Sequence, residues 1–131
     1  MIVDLEHRAA QNRLADRRVL VVEDEAFVAD DTEMALEALG CMVIGPAPNE
    51  TIALRLIDEH AIDCAVLDVN LGDHFVFGVA ARLQQLGVPF IFTTGYEIAS
   101  LPARFRARPH LSKPIDESLL ARELVHLFAS N

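Results

Sequence analysis

Five residues able to do chemistry share one kind of position in this chain of 131 residues: each closes or directly follows a short apolar run. Glu23 and Asp24 follow Val19-Leu20-Val21-Val22. Asp68 follows Ala65-Val66-Leu67, with Asn70 two residues on. Thr94 closes Phe90-Ile91-Phe92-Thr93, and Lys113 follows His110-Leu111-Ser112. Brought to one place, these groups would be three carboxylates, a hydroxyl and an ammonium. Converging carboxylates repel unless a cation sits among them. Oxygen donors without His or Cys favour Mg²⁺ or Mn²⁺ over Zn²⁺. Lys113 adds a positive point charge and Thr94 a hydroxyl donor. With the cation they would neutralise a phosphoryl group rather than bind a neutral substrate. One carboxylate must then be the acceptor. Asp68 is the candidate, because it ends the middle run and the other groups would surround it. A carboxylate that accepts a phosphoryl group is an established form of covalent chemistry.

The elements that must position these groups alternate regularly from Arg18 onward. The apolar runs 19–22, 42–44, 65–67, 90–92 and 110–112 read as strands, the second closed by Gly45-Pro46. Between them lie amphipathic stretches. The first, 26–39, carries Val28, Ala35, Leu36 and Leu39 inward and stops at Gly40. Asn49 is placed to cap a helix of about 50–60. A third helix spans roughly 76–86 and ends at Gly87. A weak helix near 101–107 follows, and Asp116 caps a last helix bearing Leu119, Leu120, Leu124, Leu127 and Phe128. Short, continuously apolar strands alternating with helices predict an α/β domain. Its expected form is a doubly wound, five-stranded parallel sheet in the order 2-1-3-4-5, flavodoxin-like, with helices on both faces. Such sheets place their sites outside the carboxyl ends of the strands, where all five groups fall. Residues 1–17 read differently, as an N-terminal extension that is either helical or disordered; residues 18–131 form the domain.

Composition bounds the function. Hydrophobic residues make up 52%, enough for a real core. Lys plus Arg number 11 against 20 Asp plus Glu, a net charge of −9. That balance is a poor match to a phosphate backbone, so nucleic-acid binding is not expected. Two cysteines, Cys41 and Cys64, lie in apolar stretches without a CxxC, and read as buried free thiols in a reducing compartment. No apolar run approaches the ~20 residues that span a bilayer. No signal peptide opens the chain, so a soluble, cytoplasmic protein without membrane contact is expected. His7, His60, His74 and His126 form no ligand spacing. Arg104, Arg106 and Arg108 put local positive charge on an acidic chain, as either a partner-facing patch or solvated loop arginines.

Four segments carry a resemblance: Val19-Leu20-Val21-Val22-Glu23-Asp24-Glu25, Val66-Leu67-Asp68-Val69-Asn70-Leu71, Ile91-Phe92-Thr93-Thr94-Gly95-Tyr96 and Leu111-Ser112-Lys113-Pro114. In this order, each at a strand end, they resemble the receiver domain of response regulators in bacterial two-component signalling, the CheY-like family. The resemblance covers residues 18–129. It implies Mg²⁺ bound directly by Asp24, through water by Glu23, by the phosphoacceptor Asp68 and by the backbone carbonyl of Asn70. It implies Thr94 as the switch hydroxyl, Lys113 as the conserved-type lysine, and a cis peptide bond between Lys113 and Pro114. Asn70 and Tyr96 would flank the path of hydrolytic water and modulate the phosphoryl lifetime. A histidine kinase or phosphotransfer protein would be the donor. Output would go to a downstream protein or a homodimer through the 101–128 face. Two departures stand out. His110 occupies the place of the family's rotating aromatic switch, so a coupling would run through its imidazole or through Tyr96. The loop Leu71-Gly72-Asp73-His74-Phe75 lacks the family's Pro and Asp-Gly pair.

The resemblance implies a phosphoacceptor signalling protein rather than an enzyme, with only its own autophosphorylation and autodephosphorylation chemistry. No output domain is expected in this chain. It would serve as a stand-alone regulator, a phosphorelay shuttle or one domain of a longer protein. Two alternatives remain. A Mg²⁺-dependent small phosphohydrolase would need a second aspartate where Asn70 stands. A phosphorylation-independent interaction module on the same scaffold draws on His110 and the altered loop.

Overall fold

The computed structural model of the chain describes residues 13–72, 74–95 and 101–129. In chain order the elements are β1 (Arg18–Val22), α1 (Ala26–Ala38), β2 (Met42–Ala47), α2 (Glu50–Glu59), β3 (Cys64–Asp68), β4 (Asn70–Leu71), β5 (His74–Phe75), α3 (Phe77–Gln85), β6 (Phe90–Thr94), β7 (His110–Ser112) and α4 (Glu117–Ala129). A 3₁₀ turn, Ala103–Phe105, precedes β7. Five strands form one parallel sheet in the order β2-β1-β3-β6-β7. This is the expected 2-1-3-4-5 arrangement, counting only the strands of the main sheet.

Alternate residues of the strands feed two cores. Val19, Val21, Cys64, Val66, Ile91 and Leu111 face α1 and α4, where they meet Ala35, Leu36, Leu120 and Leu124. Leu20, Val22, Ala65, Leu67, Phe90 and Phe92 face the other way, onto Ala53 and Ile57 of α2 and Val79 and Leu83 of α3. The central strands β3 and β6 are buried at every residue, which is why they are apolar without alternation. Helix starts follow local chemistry. Asn49 Oδ1 accepts from the Ile52 N–H at 2.9 Å, and Asp116 Oδ1 accepts from the N–H groups of Ser118 and Leu119 at 2.8 and 3.1 Å.

Three departures from the sequence reading have physical causes. The second strand does not close at Gly45-Pro46 but runs on to Ala47, with a register shift between the pairs of Leu20 and Val22. Gly45 makes this bulge at φ +99°, and a Cβ there would meet Ala47 N at 2.7 Å. Because β2 is an edge strand, Pro46 removes no ladder bond the sheet requires. The weak helix near 101–107 is only the 3₁₀ turn. It is held between Pro102 and Pro109, with Arg106 Nε donating to the Leu101 carbonyl at 2.9 Å. The loop after Asp68 contains an unexpected hairpin, in which Asn70 pairs with Phe75 and Leu71 with His74.

Of the N-terminal extension, residues 1–12 lie outside the described residues. Leu14 is fully buried against the core that includes Leu36 and Leu39. The Asp16 N–H donates to the Gly40 carbonyl at 2.8 Å, and the Arg17 guanidinium carbon lies 4.2 Å from the centroid of the Phe128 ring. Among the described residues no helix is long and apolar enough to cross a membrane. Leu14→Ala should cost about 2–4 kcal/mol in urea denaturation, the range for emptying a buried leucine site. Met34→Ala, at a position 66% exposed, should stay within about 0.5 kcal/mol of wild type.

Candidate functional site

Parallel strands deliver their carboxyl ends to one edge, and the register brings the ends level. Val22 pairs with Leu67, Asp68 with Thr93, and Thr94 with Ser112. The residues at or just beyond these pairs are Glu23, Asp24, Asp68, Thr94 and Lys113. The Lys113 N–H donates to the Thr94 carbonyl at 3.0 Å, which extends the ladder to the lysine itself. Lys113–Pro114 is a cis peptide.

The side chains converge. Carboxylate oxygens of Glu23, Asp24 and Asp68 lie within 4.8 Å of one another. Lys113 Nζ lies 2.8 Å from Glu23 Oε1 and 3.1 Å from Asp68 Oδ2. Glu23 and Asp68 are buried, whereas Asp24 is exposed. Glu23 Oε2 accepts from the Glu25 N–H at 3.2 Å, and Asp68 Oδ1 accepts from the Asn70 N–H at 3.4 Å. The donor set is all oxygen, open to water on the Asp24 side, and it suits a hard divalent cation.

The other expected site residues fall at different distances from this cluster. Thr94 is buried at the end of β6. Asn70 opens the hairpin, and Gly72, at φ +77°, turns it against Asp24: a Cβ on Gly72 would stand 3.6 Å from Asp24 Oδ2. His110 is half-buried at the start of β7, in register with Phe92 and not with Thr94. Tyr96 lies outside the described residues. The hairpin is the feature that sequence reasoning missed. Its signal was the Gly72-Asp73 pair between two short segments, since glycine at the first turn position marks a two-residue hairpin.

Electrostatics separate the two buried acids. Burial pushes the Asp68 carboxyl up, the neighbouring Glu23 carboxylate pushes it further, and it reaches about 7 against an ordinary 3.8. Burial also acts on Glu23, but hydrogen bonds from Asp68, Lys113 and the Glu25 N–H outweigh it and hold Glu23 below its usual value. Burial would pull Lys113 down, yet its two carboxylate partners hold it above the usual lysine value. When the pair takes up a proton, Asp68 therefore takes it first, because Glu23 has the shorter contact with the ammonium.

The sign of the pH effect follows. With its carboxyl raised from 3.8 to about 7, folded Asp68 binds a proton that the unfolded chain has released. Stability from this group is then fully present below about pH 4 and is lost as pH rises through 7. In buffer with EDTA, Asp68→Asn should gain stability over wild type between pH 5 and pH 8, on the order of 1 kcal/mol. Paired urea titrations at the two pH values check this; a gain that shrinks with pH would contradict it.

Comparison with known proteins agrees with the geometry. A family model described as the response regulator receiver domain matches residues 19–125. The Phyllosphere-induced regulator PhyR of Methylorubrum extorquens is 35% identical over 107 residues, covering 78% of this chain and 38% of that protein. The solution structure of SdrG from Sphingomonas melonis Fr1 superposes with a TM-score of 0.77 at 37% identity, covering 86% of this chain and 97% of that one. The BeF₃-activated conformation of SdrG, from Pseudomonas melonis Fr1, gives 0.74 at 38% identity, covering 86% and 97%. The chain spans between 38% and 52% of the length of the curated relatives it matches. Receiver domains are signalling proteins rather than enzymes, and this chain belongs to the response regulator receiver domain family.

Proposed function

We propose that this chain accepts a phosphoryl group on Asp68 in a Mg²⁺-dependent reaction and passes the signal on by protein–protein contact. The observation that carries this reading is the ammonium of Lys113, placed between Glu23 and Asp68 at 2.8 and 3.1 Å. Glu23, Asp24, Asp68 and the backbone carbonyl of Asn70 would hold the cation. When bound, it supplies positive charge to the phosphoryl oxygens.

The chain's own groups do the rest. The Asp68 carboxylate attacks phosphorus in line, forming the carboxyl–phosphorus bond as the bond to the donor breaks. The donor is the phosphohistidine of a histidine kinase or phosphotransfer protein, and its imidazole leaves with the electron pair. Lys113 then exchanges a carboxylate contact for a phosphoryl oxygen. Thr94 donates its hydroxyl to another oxygen, and this is the switch step. Asn70 flanks the approach of hydrolytic water and modulates the lifetime, a role that the family resemblance extends to Tyr96. His110 stands on the strand that leads to Lys113 and takes the place of the family's switch aromatic. The 101–128 face carries the signal to a downstream protein or a second copy. That the similar protein SdrG has a BeF₃-activated conformation supports the reading, since this anion mimics a phosphoryl group.

With acetyl phosphate and Mg²⁺, the protein should gain one phosphoryl group, ~80 Da by intact mass. EDTA should abolish the gain, and so should Asp68→Asn with its fold intact by circular dichroism. Persistent labelling in Asp68→Asn, or no gain in wild type with either acetyl phosphate or a phosphorylated kinase, would overturn the assignment and leave an interaction module. Lys113→Met should stay folded, because Asp68 can take a proton in place of the lost cation. It should also lose the phosphorylation-dependent NMR shift changes over residues 101–128; retention of those changes would contradict the role of the lysine.

A further inference from the structure

A chain of phenylalanine rings runs from the surface at the hairpin to the floor of the segment 101–109. Phe75, 56% exposed, stacks on Phe77 with centroids 5.5 Å apart and rings 15° from parallel. Phe77 stacks in turn on the fully buried Phe105, at 5.5 Å and 19°. Phe105 meets Phe90 and Phe92 edge-on. Two arginines lie on these rings. The guanidinium carbon of Arg104 is 4.7 Å from the Phe105 centroid, and that of Arg108 is 4.8 Å from the Phe90 centroid. Among the described residues neither has a carboxylate within ion-pair range. The sequence holds no acidic residue between Glu97 and Asp116, on a chain whose net charge is −9.

We propose that Phe75, Arg104 and Arg108 form a docking surface for a partner-protein segment that carries clustered carboxylates beside an apolar side chain. Guanidinium groups bind carboxylates through paired, charge-assisted hydrogen bonds. Stacking on the rings fixes both side chains beforehand, which lowers the entropy lost on binding. Phe75 supplies the exposed aromatic anchor. The acidic surface elsewhere repels an acidic partner, so charge complementarity directs it to this segment. Arginine with aromatic rings also suits single-stranded nucleic acid, but a phosphate chain would have to track past the same acidic surface. The surface adjoins α3 and reaches the loop after Asp68 through one strand pair, Asn70 with Phe75. The inference names the partner chemistry of the output proposed above and rests on that reading.

Fluorescence anisotropy at low salt tests it, with three labelled probes: a short peptide of Glu, Leu and Ala, its counterpart with Gln for every Glu, and oligouridylate. The Glu peptide should bind about tenfold more tightly than the Gln peptide. The double variant Arg104→Gln, Arg108→Gln should weaken it about fivefold or more, and Phe75→Ala should weaken it as well. Arg13→Gln with Arg55→Gln makes the same charge change elsewhere and should leave binding unchanged. Equal affinity for the two peptides, equal loss in the control pair, or tighter binding of oligouridylate would overturn the proposal. Acetyl phosphate labelling of the same samples separates the two readings. Labelling without peptide discrimination defeats this inference alone, and discrimination without labelling defeats the signalling reading.

Discussion

Lys113 Nζ sits 2.8 Å from Glu23 Oε1 and 3.1 Å from Asp68 Oδ2, and both carboxylates are buried. Two acids this close in a poorly hydrated place would repel strongly, and the ammonium offsets much of that repulsion. The compensation is incomplete: one cation faces two buried acids and, beside them, Asp24. The residual strain falls on Asp68, whose carboxyl is pushed up to about 7. A site that holds excess negative charge at an open edge suits a hard divalent cation. In the proposed reaction, the same imbalance would let the lysine exchange a carboxylate oxygen for a phosphoryl oxygen.

The sheet makes this arrangement affordable. Parallel pairing of β1 with β3, β3 with β6 and β6 with β7 brings four strand ends level, so no loop has to be ordered to gather the charged groups. The loop after Asp68 has a second task. Its hairpin turns Gly72 against Asp24 and, on its other strand, presents Phe75 to the ring stack that ends in Phe105. The hairpin and the arginine-bearing segment are therefore joined by packed aromatic side chains.

Much of this was legible in the sequence because strand ends are written in it plainly. A β-branched or aromatic run followed by an acid, a threonine or a lysine leaves little choice of where the site lies in a doubly wound sheet. Glu23, Asp24, Asp68 and Lys113 come together as those positions implied. Features that depend on a few residues or on long-range packing were harder to read. Pro46 reads as a strand terminator, yet an edge strand with a bulge at Gly45 tolerates it. The hairpin strands have two residues each, too short for any period to register. Leu14 stands among charged residues, and only the tertiary structure shows the core that receives it. His110 sits where a pattern match would put an aromatic switch, but its register with Phe92 follows from pairing that no local signal encodes.

The central claim, that Asp68 receives the phosphoryl group, can be read at the level of the residue. An acyl phosphate is reduced by borohydride to an alcohol, so a phosphorylated aspartate becomes homoserine, whereas free carboxylates and phosphate esters are left untouched. Protein treated with acetyl phosphate and Mg²⁺, then with borohydride, would be digested and its peptides sequenced by mass spectrometry. The account predicts homoserine at position 68 and at no other acidic position, and none when Mg²⁺ is withheld. Homoserine at position 24, or none anywhere in protein that has gained the phosphoryl mass, would contradict it.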